Sequence, residues 1–472
     1  MSEYKATIGI EVHVEVKSNT KLFSNSKNTY GMPTNTCVNT VDLGYPGTLP
    51  TLNKEVIRQG IKACKVLHCD ISKVMHFDRK NYFYPDNPKN YQITQNRTPI
   101  GRNGYIEIEV DGQKKKIEIE EMHIEEDTCK SAHRGEISLL DFNRAGVPLI
   151  EIVTKPCISS SEEAMKYLEK LKETLFYANI SDCKMEEGSM RCDANVSISK
   201  TDTLGVKTEI KNIGSIHNVG LSIDKEIARH KELLEKGETL QVETRRFDSK
   251  KNDTVLMRVK ETGNDYRYFP EPDIPYLYLT DEMIEEAIKE IPLLPDELRS
   301  LYKEKGIKES QIEKLISNRS FSSFFTELIK EDTDYKIAAN LLLGDIASYL
   351  NRTRKDLGDT TITVKRLVSL IAHLSDGSLS MNNIKDLIDT FLETDKSVEE
   401  IMKEKNIQNI KDDSLIKDII ARVIANNEES VNDYKTGHDR ALKYLMGQVM
   451  KESKGQVNPS LANKLLQEEL EK

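Results

Sequence analysis

The first half of the chain alternates apolar and ionisable residues. From Ile8 to Val16 every second residue is Ile or Val, and Glu11, His13 and Glu15 stand between them. A period of two is typical of a β-strand with one apolar and one polar face. The polar face of a single strand is usually just solvated, so the pattern gains meaning only where neighbouring strands repeat it.

Two pairs of segments repeat the pattern and predict hairpins. Tyr105–Val110 and Lys116–Glu125 flank Asp111-Gly112, a dipeptide that favours the tight turn of an antiparallel hairpin. Met190–Ile198 and Val206–Lys211 alternate in the same way and are joined by a short connection. We therefore predict an antiparallel sheet in this half of the chain, with carboxylates and a histidine along one face.

Apolar residues recur at helical spacing in the second half of the chain. The segments with this pattern are Ile307–Ile329, Tyr335–Leu350, Val364–Leu374, Asn383–Leu392 and Ala441–Met450. Helix-breaking residues are concentrated earlier, since 13 of the 14 Pro and 16 of the 23 Gly lie at or before Pro295. We predict an α+β protein with a strand-and-turn-rich domain at 1–292, an all-α domain at 293–408 and a small helical tail domain at 409–472.

Composition narrows the class of protein. The chain has 472 residues and a net charge of −10, which excludes a globally basic nucleic-acid-binding protein but not a local basic patch. No apolar run approaches the roughly 18 residues of a membrane helix. The N-terminus lacks the apolar stretch of a signal peptide, so we expect a cytoplasmic protein. The seven Cys form no C-x-x-C pair and are expected to be free thiols.

The polar faces of the predicted strands indicate a site for a metal and phosphate. Carboxylate oxygens with few imidazoles favour Mg²⁺ or Mn²⁺ over Zn²⁺, and such a cation would neutralise charge during phosphoryl transfer. Several basic residues could hold phosphate, although each alone is more often a surface residue. They are Lys80, Arg144, Arg191, Lys211, Arg245, Arg246, Arg258 and Arg267.

Other catalytic motifs are missing from the sequence. It contains neither a G-x-x-x-x-G-K-[ST] loop nor a G-x-G-x-x-G fingerprint, which argues against a P-loop or Rossmann nucleotide site. It also lacks the G-x-S-x-G turn of serine hydrolases, and no Cys stands in a nucleophile motif. A hydrolytic half-reaction, if the activity needs one, must therefore come from another chain.

Nine segments together resemble a known family. They are Ile8–Val16, Tyr45–Asn53, Phe77–Gln92, His123–Lys130, Asn143–Val153, Lys184–Val196, Glu209–Asn212, Glu243–Asp248 and Asp265–Pro275. Their order, spacing and near-complete coverage are similar to the B subunits of the bacterial glutamine-dependent aspartyl/glutamyl-tRNA amidotransferases, the GatCAB complexes. The tail segment Met446–Gly455 also resembles the small C-terminal domain of that family.

The resemblance implies a fold and an activity. The N-terminal domain is expected to be a cradle similar to the glutamine synthetase fold. The family is a ligase of protein biosynthesis, which uses ATP and Mg²⁺ to phosphorylate the side-chain carboxylate of misacylated Glu-tRNA(Gln) or Asp-tRNA(Asn). Ammonia, released from glutamine by the amidase-like A component of the complex, then displaces the phosphate to give Gln-tRNA(Gln) or Asn-tRNA(Asn). A small C component completes the heterotrimer.

The functional positions of the family transfer to this chain only where its motifs match. The resemblance implies Glu11, His13, Glu125 and Glu209 as Mg²⁺ ligands. It implies Lys80, Arg144, Arg191 and Lys211 as groups that bind ATP or the acyl phosphate. The expected catalytic residues are Glu11, His13, Glu125, Lys80, Arg144 and Arg191. Glu126, Asp127 and Asp193 have several possible roles. They could be metal ligands, groups that hold the ligands in place, or gates and walls of the path for ammonia.

One departure from the family concerns zinc. Many members carry a C-x-C pair and a C-x-x-C pair that resemble a four-thiolate zinc site. The corresponding positions here are Ser24, Ser26, Cys37 and Thr40. One thiolate cannot hold a structural zinc ion, so we expect no zinc and local packing in its place.

The resemblance assigns tRNA reading to the helical and tail domains. Residues 293–472 hold 27 basic and 31 acidic side chains, so binding would depend on local patches such as Arg352–Lys355, Lys365-Arg366, and Lys451 with Lys454. Two other functions stay open. A free-standing carboxylate–amine ligase would not need the long helical half, and a non-catalytic tRNA-binding scaffold would not need Glu11, His13, Glu125 and Glu209 together.

Overall fold

A computed structural model describes residues 4–259, 266–407, 413–435, 439–453, 457 and 459–470. The chain divides into two compact units, 1–294 and 295–472. Within the described ranges, no helix combines the length and apolar character that a membrane span requires. The boundary predicted between residues 408 and 409 lies outside the described residues.

The first unit contains sixteen strands and four helices among its described residues. In chain order they are β1 (Lys5–Glu15), α1 (Lys54–Val66), β2 (Asp70–Ile71), β3 (Val74–Met75), β4 (Asp78–Asn81), β5 (Tyr91–Thr94), β6 (Gly101–Val110), β7 (Gln113–Glu126), β8 (Lys130–Arg134), β9 (Ile137–Asp141), β10 (Pro148–Thr154), α2 (Ser161–Tyr177), β11 (Met190–Ser199), β12 (Thr208–Lys211), α3 (Ile216–Glu235), β13 (Glu243–Asp248), β14 (Asp253–Val259), β15 (Phe269–Pro270), β16 (Leu277–Tyr278) and α4 (Asp281–Lys289).

A nine-stranded sheet, in the order β14-β13-β12-β11-β1-β10-β7-β6-β2, dominates this unit. Both predicted hairpins are present, as β6–β7 and β11–β12. Asp111 and Gly112 have φ values of 51° and 72°, as a type I′ turn requires. The prediction of a purely antiparallel sheet is wrong at one place, because β12 and β13 pair in parallel. The long connection that contains α3 makes this possible, since parallel neighbours need a crossover.

One face of the large sheet is the apolar face predicted from the period-two pattern. Ile8, Ile10, Val12 and Val14 of β1 are each at most 1% exposed. They share one hydrophobic core with the buried faces of α1, α2 and α3. Burying a side chain of this size contributes about 1.5–3 kcal/mol, so this layer of helix on sheet fixes which face of each strand points away from the core.

The first unit is more helical than the Pro and Gly counts predicted. α1, α2 and α3 are 13, 17 and 20 residues long. Each begins at a capping side chain, Asn53, Ser160 or Ser215, that accepts a hydrogen bond from a backbone N–H of the first turn. No proline lies within these three helices, and only α1 and α3 contain a glycine, Gly60 and Gly220. Counting Pro and Gly over the whole region therefore concealed the stretches in which a helix can form.

A buried polar network lies between α3 and strands β12–β14. The Oε1 atom of Glu226 accepts a hydrogen bond from Arg229 Nε at 2.7 Å and lies 3.2 Å from His230 Nε2. Its Oε2 atom accepts from Thr254 Oγ1 at 2.8 Å and lies 3.6 Å from Arg245 Nε. Burial raises the pKa of Glu226, but the bonds from His230 and Arg229 outweigh it and bring the pKa to about 2. We call these five residues the Glu226 network.

A second buried network contains Ser24 and Ser26, two of the positions at which the sequence departs from the four-thiolate zinc site. Ser24 Oγ donates to Asp42 Oδ1 at 2.6 Å, and Ser26 Oγ donates to Asp42 Oδ2 at 2.5 Å. Lys21 Nζ lies 3.2 Å from the same Oδ2 atom. Lys21, Ser24, Ser26 and Asp42 are all buried, and we call them the Lys21 clamp.

A small sheet, β15-β4-β5, brings further residues to the polar side. Arg79 of β4 holds the sheet together through bonds of 2.6 and 2.9 Å to the buried carboxylate of Glu271. Because successive side chains in a strand point in opposite directions, Lys80 projects to the other side of β4 from Arg79.

The second unit is helical throughout its described part. Its helices are α5 (Pro295–Glu304), α6 (Glu309–Ser317), α7 (Arg319–Leu328), α8 (Tyr335–Leu341), α9 (Ala347–Thr353), α10 (Val364–Ser375), α11 (Met381–Glu393), α12 (Val398–Glu404), α13 (Asp413–Ala425), α14 (Glu428–Lys435), α15 (Asp439–Glu452) and α16 (Pro459–Leu470). A π-helical turn, Leu342–Ile346, joins α8 to α9. α13, α15 and α16 share a separate core built around Ile416, Ile420, Leu445, Val449 and Leu466.

One predicted helix is two helices in the structure. The segment predicted from Ile307 to Ile329 breaks at Asn318, which has an extended backbone with φ of −118°. The Asn318 side chain accepts a hydrogen bond from the N–H of Phe321 and so caps α7. An Asn side chain can bond backbone N–H groups and so end one helix and begin another. The helical spacing of apolar residues continues across Asn318, so the pattern alone did not show the break.

Candidate active site

Pairing across the centre of the large sheet places four ionisable side chains in one row. His13 of β1 lies opposite Arg191 of β11 on one side and Glu151 of β10 on the other. Glu151 in turn lies opposite His123 of β7. Directly paired residues share one face of a sheet, and for this row it is the face turned away from the core helices. The row therefore brings together residues that are up to 178 positions apart in the sequence.

Five side chains on this face form what we call the acidic cluster. His13 Nε2 lies 3.9 Å from Glu11 Oε1, 3.4 Å from Glu125 Oε1 and 3.6 Å from Glu151 Oε2. His123 Nε2 lies 2.5 Å from Glu151 Oε2 and 4.0 Å from Glu125 Oε2. Three carboxylates and two imidazoles thus meet within hydrogen-bonding or near-bonding range of one another.

The acidic cluster pulls the pKa values of its members apart. Burial, with the charge of Glu151, raises the pKa of Glu11 to about 7. Burial opposes protonation of His13, but hydrogen bonds to Glu125 and Glu151 hold its pKa well above the usual value. Burial also raises the pKa of Glu151, yet the charge and hydrogen bonds of His123 and His13 keep it well below its usual range. The cluster therefore has more carboxylate than its histidines can neutralise.

The donor set of the acidic cluster fits a divalent cation. Ligand atoms of Glu11, His13 and Glu151, and separately those of His123, Glu125 and Glu151, lie within 4.8 Å of one another. Carboxylates are the donors that hard cations prefer, and the imidazoles are compatible with them. The His123 Nδ1 atom is buried and has no hydrogen-bond partner among the described residues.

Lys80 reaches the acidic cluster from β4. Its Nζ atom lies 5.0 Å from the ring centroid of Tyr266. Burial lowers the pKa of Lys80, but the carboxylate of Glu125 and the groups of Tyr268 and Glu151 outweigh it and raise the pKa above its usual value. Lys80 therefore stays charged beside the carboxylates, as a phosphate-binding lysine must.

Two arginines meet at Asp127, where β7 ends. Arg191 Nη2 donates to Asp127 Oδ2 at 2.6 Å, and Arg144 Nε lies 3.4 Å from the same oxygen. Arg144 also donates to the carbonyls of Thr128 and Cys129, both at 3.0 Å. The Nε atom of Arg191 is buried and has no hydrogen-bond partner within the described part of the chain. We call Arg144 and Arg191 the arginine pair.

Glu15, at the end of β1, faces the arginine pair. Burial and the charge of Asp127 raise its pKa, while Arg191 and Arg144 lower it, and the result is about 7. Glu15 thus resembles Glu11: both are carboxylates that the surrounding cations do not fully compensate.

Lys211 and Glu209 lie farther along the polar face, on β12. Lys211 Nζ bonds Asp193 Oδ2 at 2.6 Å and lies 3.2 Å from Glu209 Oε1. Glu209 Oε2 accepts from Thr244 Oγ1 at 2.9 Å. β12 is separated from β1 by β11. The structure therefore brings Glu11, His13, Glu125 and Lys80 together and gathers the arginine pair beside them, but it groups Glu209 with Lys211 instead of the acidic cluster.

Sequence reasoning missed two members of the acidic cluster. Glu151 interrupts the apolar stretch Leu149–Val153, and an ionisable residue inside a buried strand is unusual. His123 shares strand β7 and period with Glu125. Both signals are present in the sequence, but only the pairing of β7 with β10 shows that the two side chains meet.

One arginine in each of two basic patches predicted to read tRNA, Arg352 and Arg366, has partners within the helical unit. Arg352 Nη2 bonds both carboxylate oxygens of Asp389 at 2.7 Å. Arg366 donates to the carbonyls of Thr361, Thr394 and Lys396 at 2.7 to 2.9 Å. Arg366 therefore fixes the ends of neighbouring helices through both of its terminal nitrogens, and its Nε atom is buried without a hydrogen-bond partner among the described residues.

Comparison with known proteins gives matches over both units. Residues 6–285 match the GatB/GatE catalytic domain family, and residues 323–470 match the GatB domain family. The chain is 48% identical to the B subunit of the aspartyl/glutamyl-tRNA(Asn/Gln) amidotransferase of Geobacillus kaustophilus (strain HTA426), with 99% of each chain covered. It is 47% identical to the protein of the same name from Geobacillus thermodenitrificans (strain NG80-2), also over 99% of each chain, and 46% identical to that of Bacillus mycoides (strain KBAB4), over 98%.

Proposed function

The chain belongs to the GatB family, the B subunits of the aspartyl/glutamyl-tRNA(Asn/Gln) amidotransferases, and on that premise we propose the reaction that it carries out. It activates the side-chain carboxylate of Glu-tRNA(Gln) or Asp-tRNA(Asn) with ATP and replaces the activated oxygen with ammonia. The observation that carries this proposal is the acidic cluster, which lies within the region matched to the catalytic domain family.

We propose that Glu11, His13, Glu125 and Glu151 hold Mg²⁺, with His123 orienting Glu151. When bound, this cation would neutralise charge on the transferring phosphoryl group. The pKa of Glu11, about 7, supports the assignment, because a carboxylate in excess of its neighbouring cations gains most from a divalent ion. Glu209 does not bind the cation directly in this proposal. Its contact with Lys211 keeps the lysine amine on the polar face of the sheet.

Lys80 and the arginine pair are proposed to hold the phosphates. Lys80 lies beside Glu125 and stays protonated. Its ammonium group can therefore bind the oxygens of the transferring phosphoryl group both in ATP and in the acyl phosphate. Arg191 offers a buried N–H that lacks a partner among the described residues, and an arginine fork binds phosphate oxygens through two donors. Together they would orient the phosphoryl group between ATP and the substrate carboxylate and stabilise its charge in the transition state.

The partners of the reaction are also part of this proposal. The sequence has no motif for glutamine hydrolysis, so ammonia would come from the amidase-like A component, with the small C component completing the complex. The helical unit and its tail would bind the tRNA. Since Arg352 and Arg366 already have partners in the helical unit, patches such as Lys365 and Lys451 are better placed for phosphate contacts.

The test follows γ-phosphate transfer from ATP to the tRNA-borne glutamate in the complex assembled with the A and C components. We expect Glu125→Ala to lower the rate at least about 100-fold, the usual effect of losing a group that stabilises charge in the transition state. Glu121→Ala is the matched control, because Glu121 lies on the same strand with its side chain 34% exposed, 4.0 Å from Arg102. Equal rates for wild type and Glu125→Ala would refute the assignment.

The tRNA part has its own test. A chain that ends near residue 410 lacks α13 to α16. It should bind misacylated tRNA more weakly and still assemble with the A and C components. Unchanged tRNA affinity would place the binding surface elsewhere in the protein.

A further inference from the structure

The Lys21 clamp contains a lysine with no solvent exposure. A buried ammonium group is expensive unless it is paired and hydrogen-bonded. Lys21 Nζ has two such partners, Asp42 Oδ2 and the carbonyl of Phe142, each at 3.2 Å. Asp42 is satisfied in turn by the hydroxyls of Ser24 and Ser26 and by the N–H of Asn39. The clamp is therefore a hydrogen-bonded network whose lysine donates to one turn of the chain, residues 142–147.

The same turn is held by backbone and side-chain bonds from the segment around the clamp. The N–H of Leu22 donates to the carbonyl of Gly146 at 3.0 Å, and the N–H of Cys37 donates to Asn143 Oδ1 at 2.7 Å. The turn also continues into the site, because the N–H of Gly146 donates to the carbonyl of Asp127 at 2.9 Å. The turn thus lies between the clamp on one side and Asp127 on the other.

The packing at Gly146 shows how closely the clamp and the turn fit. Gly146 has φ of +82°, and a Cβ atom there would lie 3.1 Å from Asp42 Oδ1 and 3.4 Å from Lys21 Cδ. Only glycine tolerates both this backbone conformation and this approach. The clamp cannot shift without moving the turn that presses against it.

Arg144 is part of this turn. From these contacts we infer that Lys21 and Asp42 are positioning residues for the arginine pair: through Phe142 and Gly146 they fix the turn from which Arg144 reaches Asp127. The inference rests on the proposed function, in which the arginine pair binds phosphate. It assigns a catalytic consequence to residues that touch neither ATP nor the substrate.

The first experiment measures the turn itself, by amide hydrogen exchange of the full chain. Lys21→Met keeps the apolar stem and removes the amine. We expect exchange at Leu22, Gly146 and Val147 to accelerate at least tenfold, while the amides of Ile150 and Ile152 in β10 change less than twofold. The control is Lys17→Met, which removes a partly exposed lysine paired with Asp182 at 2.6 Å and should leave all these rates unchanged. No selective acceleration in Lys21→Met would overturn the inference, whatever the enzyme does.

The second experiment separates positioning from stability in the assembled complex. Lys21→Met should raise the KM for ATP about tenfold and lower the melting temperature. The double variant Lys21→Met/Asp42→Asn has no uncompensated buried charge, so it should recover most of the melting temperature. It still cannot donate to Phe142, so its KM should stay raised. If KM and melting temperature recover together, the clamp is only structural and the inference fails.

The variant Arg144→Ala distinguishes failure of the positioning role of the Lys21 clamp from failure of the proposed phosphate-binding role of the arginine pair. If Arg144→Ala raises the KM for ATP and Lys21→Met does not, the arginine binds phosphate but the clamp does not position it. If Arg144→Ala itself leaves the KM unchanged, the proposed role of the arginine pair is wrong, and the positioning role is wrong with it. The inference holds if the KM rises in Arg144→Ala and in both clamp variants while it stays at the wild-type value in Lys17→Met.

Discussion

Two groups of charges lie on opposite faces of the same sheet and are balanced in opposite ways. In the Glu226 network, one carboxylate is surrounded by two arginines, a histidine and a hydroxyl, and its pKa falls to about 2. In the acidic cluster, three carboxylates share two histidines, and the pKa of Glu11 rises to about 7. A carboxylate with a surplus of donors stabilises the fold, whereas one with too few costs stability and is available to a ligand.

The largest effect should come from neutralising the uncompensated carboxylate. Glu11→Gln should reduce amidation about 1,000-fold, equivalent to about 4 kcal/mol of transition-state stabilisation. The free energy of unfolding should not fall and should rise by about 1 kcal/mol at pH 8, because the variant no longer buries an unfavourable charge. Rate assays and chemical denaturation measure the two. A variant that is both inactive and strongly destabilised would make Glu11 an ordinary structural residue.

A Glu-to-Gln substitution in the Glu226 network should have the opposite effect: a large loss of stability and little loss of reaction rate. Glu226→Gln should lower the free energy of unfolding by about 3 kcal/mol, because it removes the fully buried counter-charge of Arg229 and Arg245 and leaves them only the carboxylate of Glu243. The rate per folded molecule should stay within about threefold of wild type. Denaturant melts and the rate at a temperature where the variant is folded check this. Comparable losses of rate and stability would mean that the network also acts in catalysis.

Mg²⁺ should stabilise the chain only where the acidic cluster is intact. At a free concentration 100 times its Kd, the ion should stabilise the wild-type chain by about 2.7 kcal/mol, since it binds only the folded state. Glu226→Gln should keep this gain, although it starts from a lower melting temperature. Glu11→Gln should lose most of it. Calorimetric melting with and without Mg²⁺ gives the measurement, and an equal gain in all three chains would place the ion outside the acidic cluster.

The smallest effect should be a dependence on pH. Glu15 has a folded pKa of about 7, above its unfolded value, so its contribution to stability is complete below the unfolded pKa and is lost as pH rises through 7. For this one group, we expect a loss of about 1 kcal/mol between pH 6 and pH 8. Glu15→Gln should flatten that part of the curve. The Glu226 contribution has the reverse sign: it is present above the unfolded value and lost only as pH falls through about 2.

The elements with a clear local pattern were predictable from the sequence. The period of two in β1 indicated both its buried and its ionisable faces, and Asp111-Gly112 located the tightest hairpin of the sheet. The family resemblance is confirmed by matches over residues 6–285 and 323–470. These predictions succeeded because strand period and turn conformation are local properties.

What failed depended on pairing between distant segments. The sequence did not indicate that β13 runs parallel to β12 or that Glu151 lies beside His123. Glu209 has the same local pattern as the residues of the cluster, yet β11 separates its strand from β1. Helices α1 to α3 were missed for a different reason, because whole-region counts of Pro and Gly do not show where helices can run without interruption.

The position of β1 has a consequence for the synthesis of the protein. β1 is made before the other strands of the large sheet, but it lies between β10 and β11, whose residues are 148–154 and 190–199. Neither neighbour exists until much of the first unit has left the ribosome, which takes roughly 10–40 s at the usual rate of translation. During that interval a strand with a fully apolar face has no partner. The chain must therefore shield this segment, by transient collapse or by a chaperone, before the sheet can close around it.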